Sequence, residues 1–114
     1  MADETPAALN TAALHVLLAL ADGPRHGYAI MQTVAAESTG TVRLGPTTLY
    51  RTLRTLHDTG LVREVPDEDP AGDARRRYYD ITEAGRDAAR AELTRLEALI
   101  SAARAKRHLY PGPA

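Results

Sequence analysis

A chain of 114 residues without cysteine has the length of one compact domain and excludes disulfides, thiolate metal sites and cysteine nucleophiles. The five aromatic residues are all tyrosines, so the core must be built mainly from Leu, Ile, Val and Ala. The formal net charge of −1 excludes a uniformly basic surface, although separate faces can differ in charge. We expect a soluble cytoplasmic protein, because the acidic N-terminus lacks signal-peptide features and no apolar run approaches a membrane span.

Hydrophobic spacing in the first half of the chain predicts three helices, over residues 9–21, 25–37 and 46–59. Gly27 lowers the helix propensity of the second helix, which indicates close packing against a neighbouring element. Residues 41–44 contain enough β-branched side chains to predict a brief extended segment. Pro46 suits the first position of the third helix, and Gly60 suits the left-handed cap beyond its end.

After Gly60 the period changes to that of a β-hairpin, with strands in "LVREVP" and "RRYYDIT" around a turn rich in Pro, Gly and Asp. Thr82 can then cap a last helix over residues 83–107. This order predicts a mainly α protein with a small β-hairpin (α+β), a winged helix-turn-helix. The predicted division is a flexible N-terminus, a winged helix-turn-helix domain, a C-terminal dimerisation helix and a flexible tail, over residues 1–8, 9–82, 83–107 and 108–114.

The stretch "GPTTLYRTLRTL", which contains most of the third helix, combines a leucine stripe with an opposite face of threonines and arginines and has no acid. Leu49, Leu53 and Leu56 form the stripe that faces the core. A helix that enters the major groove of DNA presents such side chains to base edges, because Arg pairs with guanine and a Thr methyl contacts thymine. A solvated surface face is the alternative, but solvated faces usually include Glu.

Three consecutive arginines, Arg75, Arg76 and Arg77, begin the second hairpin strand, where a wing would contact phosphates or the minor groove. Strand alternation directs Arg76 to the side opposite the other two. Ion pairs across the hairpin are the alternative, with Asp67, Glu68, Asp69 and Asp73 as partners. By the same alternation, one of Tyr78 and Tyr79 should point inward and the other outward.

The last helix carries an a/d seam in which apolar residues step by four and three positions. Nothing in the remaining sequence would cover its full length, so the seam predicts pairing with a second copy of the chain. The expected dimer interface consists of Leu14, Ala89, Leu93, Leu96, Ile100 and Ala103. We expect no enzymatic activity, no metal and no cofactor, because catalytic motifs and paired histidine ligands are missing.

Three segments, "LLALADGPRHGYAI", "LGPTTLYRTLRTLHDTGLV" and "RRRYYDITEAG", together resemble the PadR family of bacterial transcriptional regulators. The resemblance implies a dimeric winged-helix repressor of the small subgroup with one C-terminal helix, whose helix 46–59 is the recognition helix. It also implies that Tyr28, in the HGY motif, contacts the DNA backbone, and it suggests a hydrophobic small-molecule effector between the C-terminal helices. Many members have Gly where Thr47 stands and Pro where Arg51 stands, so base assignments do not carry over.

The sequence therefore predicts a homodimeric repressor that binds a pseudo-palindromic operator in double-stranded DNA. Thr47, Thr48, Arg51 and Thr52 would read bases, while Tyr50, Arg54 and the wing arginines would contact phosphates. The alternative is a winged-helix module that binds another protein through its long helix and has a merely solvated basic face.

Overall fold

The computed structural model describes residues 9–66 and 77–112 of the chain. The elements follow in the order α1 (Thr11–Ala19), β1 (Arg25–His26), α2 (Gly27–Glu37), α3 (Pro46–Asp58), β2 (Val62–Val65), β3 (Tyr78–Ile81) and α4 (Glu83–Arg104). The three strands form one antiparallel sheet in the order β1-β3-β2. The mixed α and β composition and the winged helix-turn-helix arrangement confirm the predicted fold class.

The hydrophobic core lies where α1, α2, α3 and the sheet meet, and it is almost entirely aliphatic. Its residues include Val16, Leu17, Leu20, Ile30, Val34, Leu49, Leu53, Leu56, Val62, Tyr79 and Ile81. The predicted stripe of α3 is confirmed, since Leu49, Leu53 and Leu56 are between 0% and 2% exposed. Each buried leucine contributes about 1.5–3 kcal/mol, so this stripe fixes how α3 is rotated against the domain.

The short strand lies in a different place from the one that the sequence predicts. Residues 41–44 form no strand, whereas Arg25 and His26 pair with Tyr79 and Tyr78 of β3. A two-residue strand exists only through its partner, so its local sequence does not reveal it.

The turn between α2 and α3 is held by Ser38, which ends α2. Its hydroxyl donates to the Val42 carbonyl at 3.1 Å and accepts from the Val42 amide at 2.9 Å. Gly40 has a φ of 80°, and Thr39 shares the left-handed region with a φ of 51°. These contacts set the angle at which α3 leaves α2.

In the hairpin, Val62 pairs with Ile81 and Glu64 pairs with Tyr79. Because side chains alternate along a strand, Glu64 and Tyr79 lie on the same side of the sheet as the buried Val62 and Ile81. Arg63 and Asp80 lie on the other side, where their side chains are 3.2 Å apart. The predicted hairpin is thus confirmed, while Arg75, Arg76 and the acidic residues 67–69 and 73 lie outside the described residues.

Helix α4 begins at Thr82, which accepts from the Gly85 amide at 3.0 Å as predicted and donates to the Gly60 carbonyl at 2.7 Å. Its first turns pack on the rest of the domain, since Gly85, Ala89 and Glu92 are buried. Beyond Glu92 the helix extends with mostly exposed side chains. No helix among the described residues is both long and apolar enough to cross a membrane.

Candidate nucleic-acid interface

The exposed face of α3 carries most of the predicted base-reading residues. Thr47, Thr48 and Arg51 are exposed there, and Tyr50 and Arg54 lie exposed nearer to the hairpin. Within the described residues neither arginine of α3 forms an ion pair. The two guanidinium groups therefore keep their donors available for an external acceptor.

The threonines of α3 are not equivalent. Thr55 donates to the Arg51 carbonyl at 3.2 Å, a hydrogen bond within the helix that occupies its hydroxyl. Thr47 and Thr48 make no side-chain hydrogen bond within the described part of the chain. Their hydroxyls are thus free to contact an external group. Both lie at the N-terminal end of α3, and this is the end that a recognition helix presents to the major groove.

Thr52 is set back from the exposed face, in contrast to the other predicted base-reading residues. It is half-buried and lines a small groove of about 100 Å³ beside Asn10 and Ala13 at the start of α1. Arg51 borders the same groove. We expect Thr52 to reach a base less directly than Arg51.

The side chain of Tyr50 rests against the start of α2. A β-carbon built on Gly27 would stand 2.6 Å from the Tyr50 hydroxyl oxygen and 3.3 Å from Leu49 Cδ2. The close packing expected at Gly27 is therefore confirmed. Its neighbour Tyr28 is 62% exposed, and its ring contributes little to the core.

The first residues of α2 are ordered by His26, which precedes the helix. Its Nδ1 accepts from the Ala29 amide at 3.3 Å, and its ring meets Tyr78 edge-on with centroids 5.5 Å apart. Tyr79, in contrast, points into the core with 7% exposure, so the expected division between the two tyrosines is confirmed. These contacts order the first turn of α2, in which Tyr28 stays exposed.

A cleft of about 260 Å³ separates α3 from the hairpin. We call it the α3–hairpin cleft, and its lining residues are Tyr50, Leu53, Arg54, His57, Glu64, Arg77 and Tyr79. At its rim the Nε atom of Arg77 lies 3.5 Å from the Glu64 carboxylate, and the Arg77 side chain is 71% exposed. The sequence offered an ion pair with an acid of the turn as the alternative to a DNA contact, whereas the partner of Arg77 within the described residues is Glu64 on β2.

Burial raises the pKa of Tyr79 above 10.0, and the nearby Glu64 carboxylate raises it further. Its hydroxyl therefore stays protonated at neutral pH and remains a donor. His57, Glu64 and Tyr79 were absent from the predicted site, because they reach one cleft from three separate segments of the chain. The alternation of the strand was the one available signal, since it directs Glu64, Arg77 and Tyr79 to the same side.

A second exposed surface lies on the distal half of α4. Leu93, Leu99 and Ile100 are 36%, 56% and 50% exposed, and Leu96 and Ala103 are half-buried. Ala89 belongs to the core of the chain itself with 6% exposure, and Leu14 packs against that core while remaining half-buried. The apolar surface left open on α4 therefore begins at Leu93 and includes Leu99, which the seam spacing did not select.

A family model described as the transcriptional regulator PadR-like family matches residues 16–91. The match spans α2, α3 and the hairpin, together with the C-terminal end of α1 and the first turns of α4. It stops before the open apolar surface of α4.

Solved structures show the same fold. A PadR family transcription regulator from Clostridium difficile superposes with a TM-score of 0.72 at 16% identity, over 90% of this chain and 100% of that one. Bacillus subtilis PadR in complex with operator DNA superposes with a TM-score of 0.65 at 19% identity, over 74% of this chain and 47% of that one. At such identities the likeness concerns the fold alone.

An uncharacterised 37.1 kDa protein in transposon TN4556 of Streptomyces fradiae is 44% identical over 78 residues, or 68% of this chain. The matched segment spans only 21% of that relative's length. The relative therefore carries no argument about the function of this chain.

Proposed function

This chain belongs to the PadR-like family of DNA-binding transcriptional regulators, and we propose that it acts as a homodimeric repressor of a pseudo-palindromic operator. The observation that carries the proposal is the exposed face of α3. Its leucines are buried while Thr47, Thr48, Arg51 and Arg54 remain exposed. A face with cations and hydroxyls and without ion pairs suits the major groove, where base edges offer acceptors and methyl groups.

The proposed contacts divide into two kinds. Thr47, Thr48 and Arg51 read base edges, with Thr52 in a lesser role because it is half-buried. Tyr28, Tyr50 and Arg54 contact phosphates together with the wing arginines Arg75, Arg76 and Arg77, and these contacts position the domain without reading sequence. The fold likeness to a PadR that was solved with operator DNA supports DNA as the ligand.

Dimerisation is proposed through the open apolar surface of α4, with Leu14 at its edge. Exposed leucine and isoleucine side chains at a/d spacing are unfavourable in water, and a second copy of the same helix would cover them. Two recognition helices would then enter successive major grooves, about 34–36 Å apart.

Release from DNA is proposed to follow the binding of a hydrophobic small molecule between the paired C-terminal helices. Such a ligand acts only if it favours a dimer geometry with the wrong helix spacing, because a ligand shifts an equilibrium through unequal affinity for two states. The chain contains no Trp, so aliphatic side chains and Tyr would have to form the site.

The decisive experiment is to incubate the purified protein with fragmented genomic DNA and to sequence the fragments that it retains. We expect enrichment of inverted repeats whose half-sites lie about one helical turn apart. A gel shift with the DNA upstream of the protein's own gene tests one fragment directly. Retention without any enriched sequence would contradict the proposal and favour the protein-interaction module.

A further inference from the structure

The α3–hairpin cleft combines features that the proposed base contacts do not use. Arg54 lines it from α3 and Arg77 from the residue before β3, and Tyr50 and Tyr79 also form part of its lining. With Glu64 the charged groups add up to two guanidinium cations and one carboxylate, a net charge of +1 at neutral pH. One phosphodiester, with a single negative charge, would balance that charge.

We propose that the α3–hairpin cleft binds a single phosphate group and that Glu64 occupies Arg77 until this phosphate arrives. A carboxylate and a phosphate present similar oxygen acceptors to a guanidinium group, so one can replace the other on Arg77. In this role Glu64 is an internal competitor of the ligand. The phosphate belongs either to the DNA backbone or to a small free anion, and the chemistry of the cleft is the same for both.

The geometry of the Arg77–Glu64 pair favours such an exchange. The N–O distance of 3.5 Å exceeds the 2.7–3.2 Å of a good hydrogen bond, and both side chains are largely exposed, at 71% and 46%. Exposed pairs of this kind are weak and are easily replaced. Tyr79 lines the same cleft, so Arg77 has a polar neighbour there besides Glu64.

The size of the cleft restricts the ligand. A volume of about 260 Å³ lies below the roughly 300–1,000 Å³ of pockets that hold drug-sized molecules. Its lining is rich in donors and charged groups, with Leu53 as the apolar exception. A phosphate group with a few water molecules fits both the volume and the donors.

The test uses the full chain and the variant Glu64→Gln, which removes the competing charge from an exposed position. Binding to a short duplex of random sequence is measured by fluorescence anisotropy. We expect Glu64→Gln to tighten this binding roughly threefold to tenfold. The matched control is Asp80→Asn, which makes the same change of charge on the opposite side of the hairpin, and its affinity should stay within about twofold of the wild type.

In a second experiment, inorganic phosphate is titrated into the protein, and the Nε–Hε signals of Arg54 and Arg77 are followed by NMR. We expect a saturable shift that occurs at lower phosphate concentration in Glu64→Gln and is lost in Arg54→Ala. If the duplex then displaces the phosphate, the DNA backbone fills the cleft, whereas simultaneous binding of both assigns the cleft to a free anion.

The proposal is overturned if Glu64→Gln and Asp80→Asn tighten duplex binding equally and phosphate leaves both arginine signals unchanged. The inference rests on the proposed DNA-binding function only for the DNA source of the phosphate. A wild-type protein that binds no duplex would contradict that function, while the phosphate titration would still decide whether the cleft is an anion site.

Discussion

The hydroxyl of Tyr50 lies so close to the α-carbon of Gly27 that a β-carbon there would stand 2.6 Å from the hydroxyl oxygen and 3.1 Å from Cζ. This contact joins α3 to the first turn of α2. The position of the Tyr50 hydroxyl, on the side of α3 that faces the hairpin, thus depends on the missing side chain of residue 27. A change at residue 27 should therefore alter the geometry of the proposed interface more than the stability of the fold.

We predict that Gly27→Ala leaves the domain folded but weakens DNA binding. The added methyl group mainly meets the far end of the Tyr50 side chain, which is 51% exposed, and it stands 3.3 Å from Cδ2 of the buried Leu49, so stability should change by no more than about 1 kcal/mol. Displacing the Tyr50 hydroxyl from a phosphate should weaken binding by about 1–2 kcal/mol. Thermal denaturation and fluorescence anisotropy on an operator duplex measure the two effects.

The double variant Gly27→Ala with Tyr50→Phe provides the control, since it removes the oxygen that the methyl group would meet. It should bind DNA as Tyr50→Phe does, because nothing further is lost when the hydroxyl is already gone. Gly45→Ala is a second control, as no atom lies within 4 Å of a β-carbon at that position. Additive losses in the double variant would contradict the role given to this contact.

The fold was predictable where local signals are strong. The spacing of Leu49, Leu53 and Leu56 gave the buried side of α3, Gly60 adopts the expected left-handed conformation with a φ of 79°, and Thr82 caps α4. Strand β1 was not predictable, because Arg25 and His26 become a strand only by pairing with the free edge of β3. Pairing between distant segments leaves no trace in local periodicity.

The candidate site was predictable where one helix carries it and less so where separate segments meet. The threonines and arginines of α3 can be read directly from the sequence, whereas the approach of His57 to Glu64 and Arg77 depends on how the hairpin folds against α3. The seam of α4 shows a further limit. Ala89 has the spacing of a dimer residue but is buried by its own chain, because periodicity does not tell which partner covers a face.

We predict that Arg51→Ala weakens binding to the operator by about 1–3 kcal/mol and relaxes the preference at one base position. Arg51 is exposed at the middle of the α3 face and has no ion pair within the described residues, so its guanidinium group is available to a base. Competition assays with singly substituted operators measure both effects. Arg104→Ala, in the last turn of α4, controls for the loss of one positive charge, and an equal loss of affinity on random DNA would contradict base reading.

We predict that Ile100→Glu converts the proposed dimer to a monomer without unfolding the chain. Ile100 is 50% exposed on the single chain, so the carboxylate stays in water there, whereas a dimer would bury two like charges close together. Light scattering coupled to gel filtration measures the mass, and circular dichroism measures the helix content. Ala98→Glu adds the same charge on the opposite side of α4 and should leave the dimer intact, while dissociation by both variants would refute the proposed interface.

We predict that Glu92 makes the junction of α1 and α4 sensitive to acid. Both carboxylate oxygens of this buried residue accept from Arg95, and a hydrogen bond from the Leu9 backbone reaches the same group. The hydrogen bond from Arg95 is the main cause that lowers the pKa of Glu92 below 4.5. Because the folded-state pKa is lower than the unfolded one, its contribution to stability is present above pH 4.5 and is lost as the pH falls through the folded value.

Glu92→Gln should therefore be less stable than the wild type at neutral pH, and the difference should narrow as the pH falls below 4.5, where the wild-type carboxylate becomes protonated. Urea denaturation at a series of pH values measures the free energy of unfolding of both proteins. Glu97→Gln, at an exposed position of the same helix, is the control. Its free energy of unfolding should differ from that of the wild type by the same amount at every pH. If the difference in free energy of unfolding between Glu92→Gln and the wild type stays constant down to low pH, the Glu92 charge does not hold α4 against α1.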